Sequence, residues 1–164
     1  MFIRPEQPSD RDAITSIILA AFHDHPHSQQ NEQRIVTALR ADHALTVSLV
    51  AIEGDEVVGH IACSPVSINE MNSKWFGLGP VAVQPNRQHN GIGAALVRAS
   101  IAQLVADNAG GTVLLGDPTY YQRFGFAPDA KLILPGVPAS HFLCLALGEP
   151  IPAGLVAYHS AFSV

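Results

Sequence analysis

Apolar and polar residues follow two periods along this chain, and segments of the two kinds alternate. Apolar residues spaced three and four apart predict helices over residues 28–41 and 91–106, and Ser9 or Asp10 is expected to cap an earlier one. A short helical turn is expected before Gly125. Alternating or wholly apolar runs predict strands at residues 2–4, 45–53, 56–68, 75–83, 112–116, 132–134 and 142–147.

The order of these elements predicts a mixed α/β sandwich with antiparallel hairpins and one βαβ crossover. The chain has 164 residues, of which 48% are apolar and 14% charged, so we expect one domain over residues 1–164. No repeat or linker marks a boundary within it. The final stretch, residues 150–164, carries Tyr158 and Phe162, which could pack back on the sheet or across a dimer.

Composition and charge argue against several classes of protein. No apolar run approaches the ~18 residues of a membrane span, and the chain does not begin with a basic-then-apolar leader. Cys63 and Cys144 lie 81 positions apart without a pairing pattern, so we expect reduced thiols and a cytoplasmic location. The formal net charge of −5 argues against nucleic acid as a partner.

The polar turn before the helix at 91–106 carries two glycines, Gly91 and Gly93. A helix N-terminus leaves N–H groups without partners and has a partial positive charge, and glycine has no Cβ to keep an anion away. Residues 71–106 contain no acid and have a net charge of +3, whereas residues 1–70 have a net charge of −6. The turn is therefore predicted to bind an anion, and a plain turn is the alternative.

Two familiar phosphate-binding motifs do not fit this turn. The dinucleotide-binding fingerprint needs Gly or Ala where this chain has Leu96, and a Walker A loop needs a Gly-Lys-Ser/Thr ending that is absent. The segment Gln88-x-x-Gly91-x-Gly93, preceded by the strand Val81-Ala82-Val83 and a proline, instead resembles motif A of the GNAT superfamily of N-acetyltransferases. The segment from Gly116 to Phe126, GDPTYYQRFGF, is similar to motif B of that family, in which a tyrosine comes four residues before Gly-Phe.

The resemblance extends from Phe2 to about Leu147 and is closest to the YhbS-like branch of the family. It implies a central, twisted, mostly antiparallel sheet of about six to seven strands, with helices on both faces and central parallel strands that splay apart. Acetyl-CoA is the implied cosubstrate, with its pantetheine along the first of these strands and its pyrophosphate at the glycine turn. The implied cofactor contacts are Val81, Ala82, Val83, Arg87, Gln88, His89, Asn90, Gly91, Ile92, Gly93, Ala94 and Asp117.

Tyr121 is the catalytic residue that the resemblance implies. An amine that attacks the thioester expels a thiolate with a pKa near ~8.5–10, and a phenol with a pKa of ~10 protonates it without ionising at neutral pH. Tyr120 lies about 100° further round the helix, cannot reach the same sulfur, and is assigned mainly to packing. A water relay is predicted to deprotonate the amine; the other candidates are Glu70, His60, His23, His25 and His27.

Two functions remain open on the sequence. The first is N-acetyl transfer from acetyl-CoA to a primary amine by direct attack in a ternary complex, with a small molecule or a peptide or protein amine as acceptor. The second is a non-catalytic acyl-CoA sensor or partner-binding module, which the presence of Tyr121 makes the weaker choice. No metal is expected, because Pro26 disfavours the helix that would bring His23 and His27 together. Monomer and homodimer are both compatible with the sequence.

Overall fold

The computed structural model describes residues 1–164, which form nine strands and four helices. None of the helices combines the length and the apolar character that a membrane span requires. In chain order the elements are β1 (Phe2–Pro5), α1 (Arg11–Phe22), α2 (Glu32–Ala41), β2 (Val47–Glu53), β3 (Glu56–Ile68), β4 (Met71–Val83), α3 (Ile92–Ala106), β5 (Gly111–Leu115), α4 (Pro118–Tyr121), β6 (Ala127–Pro128), β7 (Leu132–Ile133), β8 (Phe142–Ala146) and β9 (Gly154–Tyr158).

The strands form one mixed sheet in the order β1-β2-β3-β4-β5-β8-β6, with β9 paired to β3 and β7 paired to β9. Neighbouring strands are antiparallel except for two pairs, β4 with β5 and β7 with β9. The parallel pair β4 and β5 is joined through α3, which is the predicted crossover. The predicted mixed, mostly antiparallel sheet is therefore confirmed.

The two central parallel strands separate part of the way along their length. Parallel pairing ends at Gly77 and Val113, although β4 runs on to Val83. Just beyond the last pair, β4 has an extra residue relative to β3, a bulge at residues 79–80 that bends the strand. The edge of β4 that faces β5 is thus left without a strand partner, and the splay that the family resemblance implied is present.

An apolar core lies on each face of the sheet, and each core fixes helices. Successive side chains of a strand point to opposite faces, so Val81 and Val83 pack towards α3 whereas Ala82 packs towards α1. Leu96 anchors α3 in the first core, and Ile14 anchors α1 in the second. Helices therefore cover both faces, as expected from the resemblance.

Two elements differ in their boundaries from the sequence prediction. Helix α2 begins at Glu32 and not near residue 28, because Gln30 has a φ of +61°, which an α-helix cannot contain. Strand β4 begins at Met71 and not at residue 75, because it forms a tight hairpin with β3 whose turn is Asn69–Glu70.

The C-terminal part of the chain adds strands that the sequence did not predict. Strand β6 has only two residues, and β9 lies in the stretch that carried no predicted element. Strand β9 pairs with β3 beyond Cys63, the last residue of β3 that pairs with β2, and Val66 lies opposite Tyr158. The rings of Tyr158 and Phe162 lie 4.9 Å apart, so of the two packing alternatives for this stretch the chain takes the intramolecular one.

The ring of Trp75 is wholly buried and lies directly on the backbone of Gly111. These two residues are partners in the parallel ladder, and the indole N–H donates a hydrogen bond of 2.8 Å to the Glu149 carboxylate. Because a Cβ at position 111 would collide with the indole, glycine is required there by packing.

We expect Gly111→Ala to lower the free energy of unfolding by about 1–3 kcal/mol, since the new methyl group overpacks the core against a ring that is fixed on all sides. Urea denaturation of both proteins measures the difference. Gly93→Ala is the matched control, because the nearest atoms to a Cβ there lie 3.8 Å away. A Gly111→Ala protein that is as stable as its parent would show that the indole can move.

Candidate active site

The N-terminus of α3 has no capping side chain. Gly91 precedes it with a φ of +84°, in the left-handed region where a side chain would be strained, and no side chain accepts a hydrogen bond from the first turn. The first intrahelical bond runs from the Ala95 N–H to the Gly91 carbonyl, so the N–H groups of residues 92–94 have no intrahelical acceptor. Three donors and the positive end of a helix of 15 residues therefore point to one place.

A cavity of about 450 Å³ lies in front of these donors. It extends from the end of β4 across the glycine turn to α4, and its wall combines backbone N–H groups with two arginines and a tyrosine hydroxyl. Its lining residues are Val83, Arg87, Gln88, His89, Gly91, Ile92, Gly93, Ala94, Tyr120 and Arg123. An elongated anionic ligand fits this combination of shape and charge.

Most of the predicted contact residues line this cavity, but four do not. The side chain of Ala82 is buried on the opposite face of the sheet, and Val81 packs into the core beneath α3. The carboxylate of Asp117 accepts a hydrogen bond of 2.9 Å from the Thr119 N–H and so caps α4. Asn90 is exposed and donates to the Arg87 carbonyl. For Val81 and Ala82 a ligand contact can therefore come only from the backbone, whereas the side chain of Val83 lines the cavity.

The two arginines of the cavity differ in how far their charges are already compensated. Arg87 donates to the Glu53 carboxylate at 2.7 Å and lies 3.7 Å from the Glu56 carboxylate. The Arg123 guanidinium contacts no carboxylate and stacks 4.2 Å above the ring of Tyr120. Arg123 is therefore the less compensated of the two cations, although Arg87 was the predicted charge partner.

Sequence reasoning missed Tyr120 and Arg123 as site residues. Tyr120 was assigned mainly to packing, yet its hydroxyl oxygen lies near Gly93 across the cavity, 3.9 Å from the place where a Cβ would stand. The signal that could have found them is their spacing. They are three apart on one helical turn, so they share a face that Tyr121, one residue further on than Tyr120, does not present.

Tyr121 is the last residue of α4, the helix that follows β5. Its ring lies on Gly116, where a Cβ would be 2.5 Å from a ring carbon, and it also contacts Phe126. Burial, with a smaller effect of Tyr120, raises the pKa of the Tyr121 hydroxyl to about 12. The hydroxyl makes no hydrogen bond within the protein and stays protonated at neutral pH, so it is available as a donor.

None of the side chains considered as a general base lies in the cavity. Glu70 is exposed at the tip of the β3–β4 hairpin, and the three histidines at 23, 25 and 27 lie on the exposed turn after α1. His60 is wholly buried on the α1 face of β3. No group of three potential ligands is placed to hold a metal ion. Water-relayed deprotonation stays a prediction.

The buried His60 belongs to a polar cluster that includes the partly buried Glu6, Arg40 and Ser48. Arg40 donates two hydrogen bonds, of 2.9 and 3.0 Å, to the Glu6 carboxylate, which also accepts one from Ser48. Ser48 Oγ lies 2.8 Å from His60 Nε2, whereas His60 Nδ1 has no partner. Burial outweighs the attraction of Glu6 and lowers the pKa of His60 to about 4.

The chain matches known proteins in sequence. A family model described as acetyltransferase (GNAT) domain matches residues 2–128. The chain is 31% identical over 170 residues to the uncharacterized N-acetyltransferase YhbS of Escherichia coli K12, and the alignment covers 99% of both proteins. These matches confirm the resemblance that the two motifs indicated.

Solved structures agree with the sequence matches. A GNAT family acetyltransferase from Brucella melitensis, in complex with acetyl-CoA, superposes with a TM-score of 0.88 at 49% identity and covers 98% of this chain and 97% of its own. YhbS from Escherichia coli, in complex with CoA, gives a TM-score of 0.90 at 32% identity, with 99% and 92% covered.

The His60 cluster predicts a loss of stability in acid. The unfolded chain binds a proton on this histidine near pH ~6.5, whereas the folded protein does so only near its lowered pKa of about 4. As the pH falls through this window the unfolded state binds the proton first, so the free energy of unfolding decreases by about 3 kcal/mol. His60→Gln should therefore show a smaller loss of unfolding free energy between pH 6.5 and 4, measured by urea denaturation at stepped pH. An equal pH dependence in both proteins would contradict the buried neutral state.

Proposed function

The chain belongs to the GNAT acetyltransferase family, and we propose that it transfers the acetyl group of acetyl-CoA to a primary amine by direct attack in a ternary complex. One observation carries this proposal. The cavity at the uncapped N-terminus of α3 borders the opening between β4 and β5, so an anionic nucleotide and a reactive thioester can be held at once.

The residues of the cavity fit acetyl-CoA in their chemistry. The free N–H groups of residues 92–94 and the Arg123 guanidinium provide donors and positive charge for a pyrophosphate. The unpaired edge of β4 offers backbone groups to the pantetheine amides, as an added strand would. Relatives from Brucella melitensis and Escherichia coli bind acetyl-CoA and CoA, respectively, which supports the same cosubstrate here.

In the proposed reaction the leaving sulfur gains one proton and the attacking amine loses one. The neutral amine attacks the thioester carbon, and the C–N bond forms. As the tetrahedral intermediate collapses the C–S bond breaks, and the sulfur leaves as a thiolate. Tyr121 donates a hydrogen bond or its proton to that sulfur, and water carries away the proton of the amine. Because the pKa of the Tyr121 hydroxyl is about 12, the phenol recovers its proton readily at neutral pH.

Calorimetric titration with acetyl-CoA, followed by a free-thiol assay over a panel of primary amines, tests the proposed function. Binding together with thiol release on one class of amine supports the transferase. Binding without release on any amine supports the alternative of a non-catalytic acyl-CoA sensor. An absence of binding would overturn both.

Gly93→Ala is expected to weaken binding of acetyl-CoA at least about tenfold without loss of stability. The new methyl group projects into the cavity between Val83 and Tyr120, where it keeps the phosphates from the helix N-terminus, while alanine favours the helix itself. Calorimetry measures the affinity and thermal unfolding measures the stability. Ala102→Gly, on the exposed face of α3, is the control: it should lower the stability of the protein and leave its affinity for acetyl-CoA unchanged. Equal affinities of Gly93→Ala and its parent would place the phosphates elsewhere.

Tyr121→Phe is expected to lower kcat by about 100-fold and to leave the Kd for acetyl-CoA within twofold, because it removes the proton donor and keeps the ring on Gly116. Thiol release at saturating acetyl-CoA measures the rate. Tyr120→Phe is the matched control, and it should change the Kd more than kcat because that hydroxyl lines the cavity. If the two variants had equal kcat values, Tyr121 would not be the donor.

A further inference from the structure

The C-terminal strand β9 brings a third tyrosine to the opening of the sheet. Strand β2 begins at Val47, opposite Cys63, and beyond that pair β9 takes its place along the same edge of β3, with Tyr158 opposite Val66. This segment lies beyond residues 2–128, which match the family model. Motifs A and B do not include this segment.

The side chain of Tyr158 reaches across β3 to β4. A Cβ at Gly77 would collide with Tyr158 Cε1 and would lie 2.9 Å from Cδ1. Since Cε1 belongs to the half of the ring that carries the hydroxyl, that half of the ring lies over β4. Gly77 is the last residue of β4 that pairs with β5, so the Tyr158 ring lies where the two central strands begin to separate.

The hydroxyl of Tyr158 has no structural partner, whereas its ring is firmly held. It makes no hydrogen bond within the protein, and the ring is backed by Phe162 at 4.9 Å. Ser64, which is opposite Gly77 on β3 and points to the same face, is wholly buried and also has an Oγ without a partner. An unpaired buried polar atom such as the Ser64 Oγ is costly, and a polar group beside it would relieve that cost.

Tyr158 approaches the opening from the face opposite to the cofactor cavity. Gly77 alternates with Phe76 and Leu78, which pack on the α3 side, so the Tyr158 ring lies on the other face. On the proposed function, the nucleotide occupies the α3 side. An acceptor amine that attacks the same thioester must then come from the face that carries Tyr158.

On this geometry, and resting on the proposed function, we propose that Tyr158 contacts the acceptor: its hydroxyl oxygen accepts a hydrogen bond from the attacking primary amine and directs the nitrogen lone pair to the thioester carbon. Burial raises the pKa of this phenol, so it stays neutral and cannot serve as the base. It differs in this role from Tyr121, which acts on the leaving sulfur.

The three tyrosines of the chain allow a test that does not depend on turnover. Protein labelled with 3-fluorotyrosine gives three fluorine resonances, which the single variants Tyr120→Phe, Tyr121→Phe and Tyr158→Phe assign. The Tyr158 resonance should differ between the CoA and the acetyl-CoA complexes, because its hydroxyl stands beside the acyl group. The Tyr120 resonance should respond equally to both. A Tyr158 resonance that is the same in the free protein and in both complexes would overturn the proposal.

Kinetics of Tyr158→Phe give the second test. This variant keeps the ring on Gly77 and removes only the hydroxyl, so we expect kcat/KM for the amine to fall roughly tenfold while the Kd for acetyl-CoA stays within twofold. Unchanged kcat/KM for the amine would overturn the proposal, as would an equal loss of affinity for acetyl-CoA. If the parent protein acetylates none of the amines, the proposed function fails, and the fluorine measurement alone decides the position of Tyr158.

Discussion

The end of parallel pairing between β4 and β5 is the constraint on which the rest of the site depends. Had the ladder continued past Gly77 and Val113, the backbone of β4 up to Val83 would be fully paired and the sheet closed. The bulge at residues 79–80 bends β4 away, and the helix that follows begins beside the gap and not over it. Backbone donors and acceptors of the strand and free N–H groups of the helix are thereby directed to a single elongated ligand.

Charge at the site is local and contrasts with the rest of the molecule. The chain has a net charge of −5, and two of its acids, Glu53 and Glu56, lie close to Arg87. On the proposed function the anion site depends on groups that acids do not compensate: the helix N-terminus, whose partial charge cannot be titrated, and Arg123. An acidic protein can in this way retain a site for an anion without a broad basic surface that would attract nucleic acid.

Most of the fold, but only one side of the site, could be predicted from the sequence. The spacing of apolar residues and the turn-forming residues are local signals. They were sufficient to predict α1, α3, the strands up to β5 and the glycine turn. Strand β9 carries no such signal, since it becomes a strand only because β2 begins at Val47 and leaves the edge of β3 beyond Cys63 free. Tyr120 was missed for a related reason: its spacing to Arg123 shows that the two share a face, but which surface that face meets depends on how α4 lies against the cavity.

Glycine residues on the two separating strands explain how aromatic side chains come to surround the opening. Tyr121 lies on Gly116, directly after β5, and Tyr158 lies on Gly77, the last paired residue of β4. A side chain at either glycine would lift the ring and move its hydroxyl away from the gap. Each strand therefore supports one phenol, and the two phenols lie on opposite faces of the sheet. On the proposed function this arrangement separates two tasks, protonation of the leaving sulfur and orientation of the incoming amine, which one side chain could not perform together.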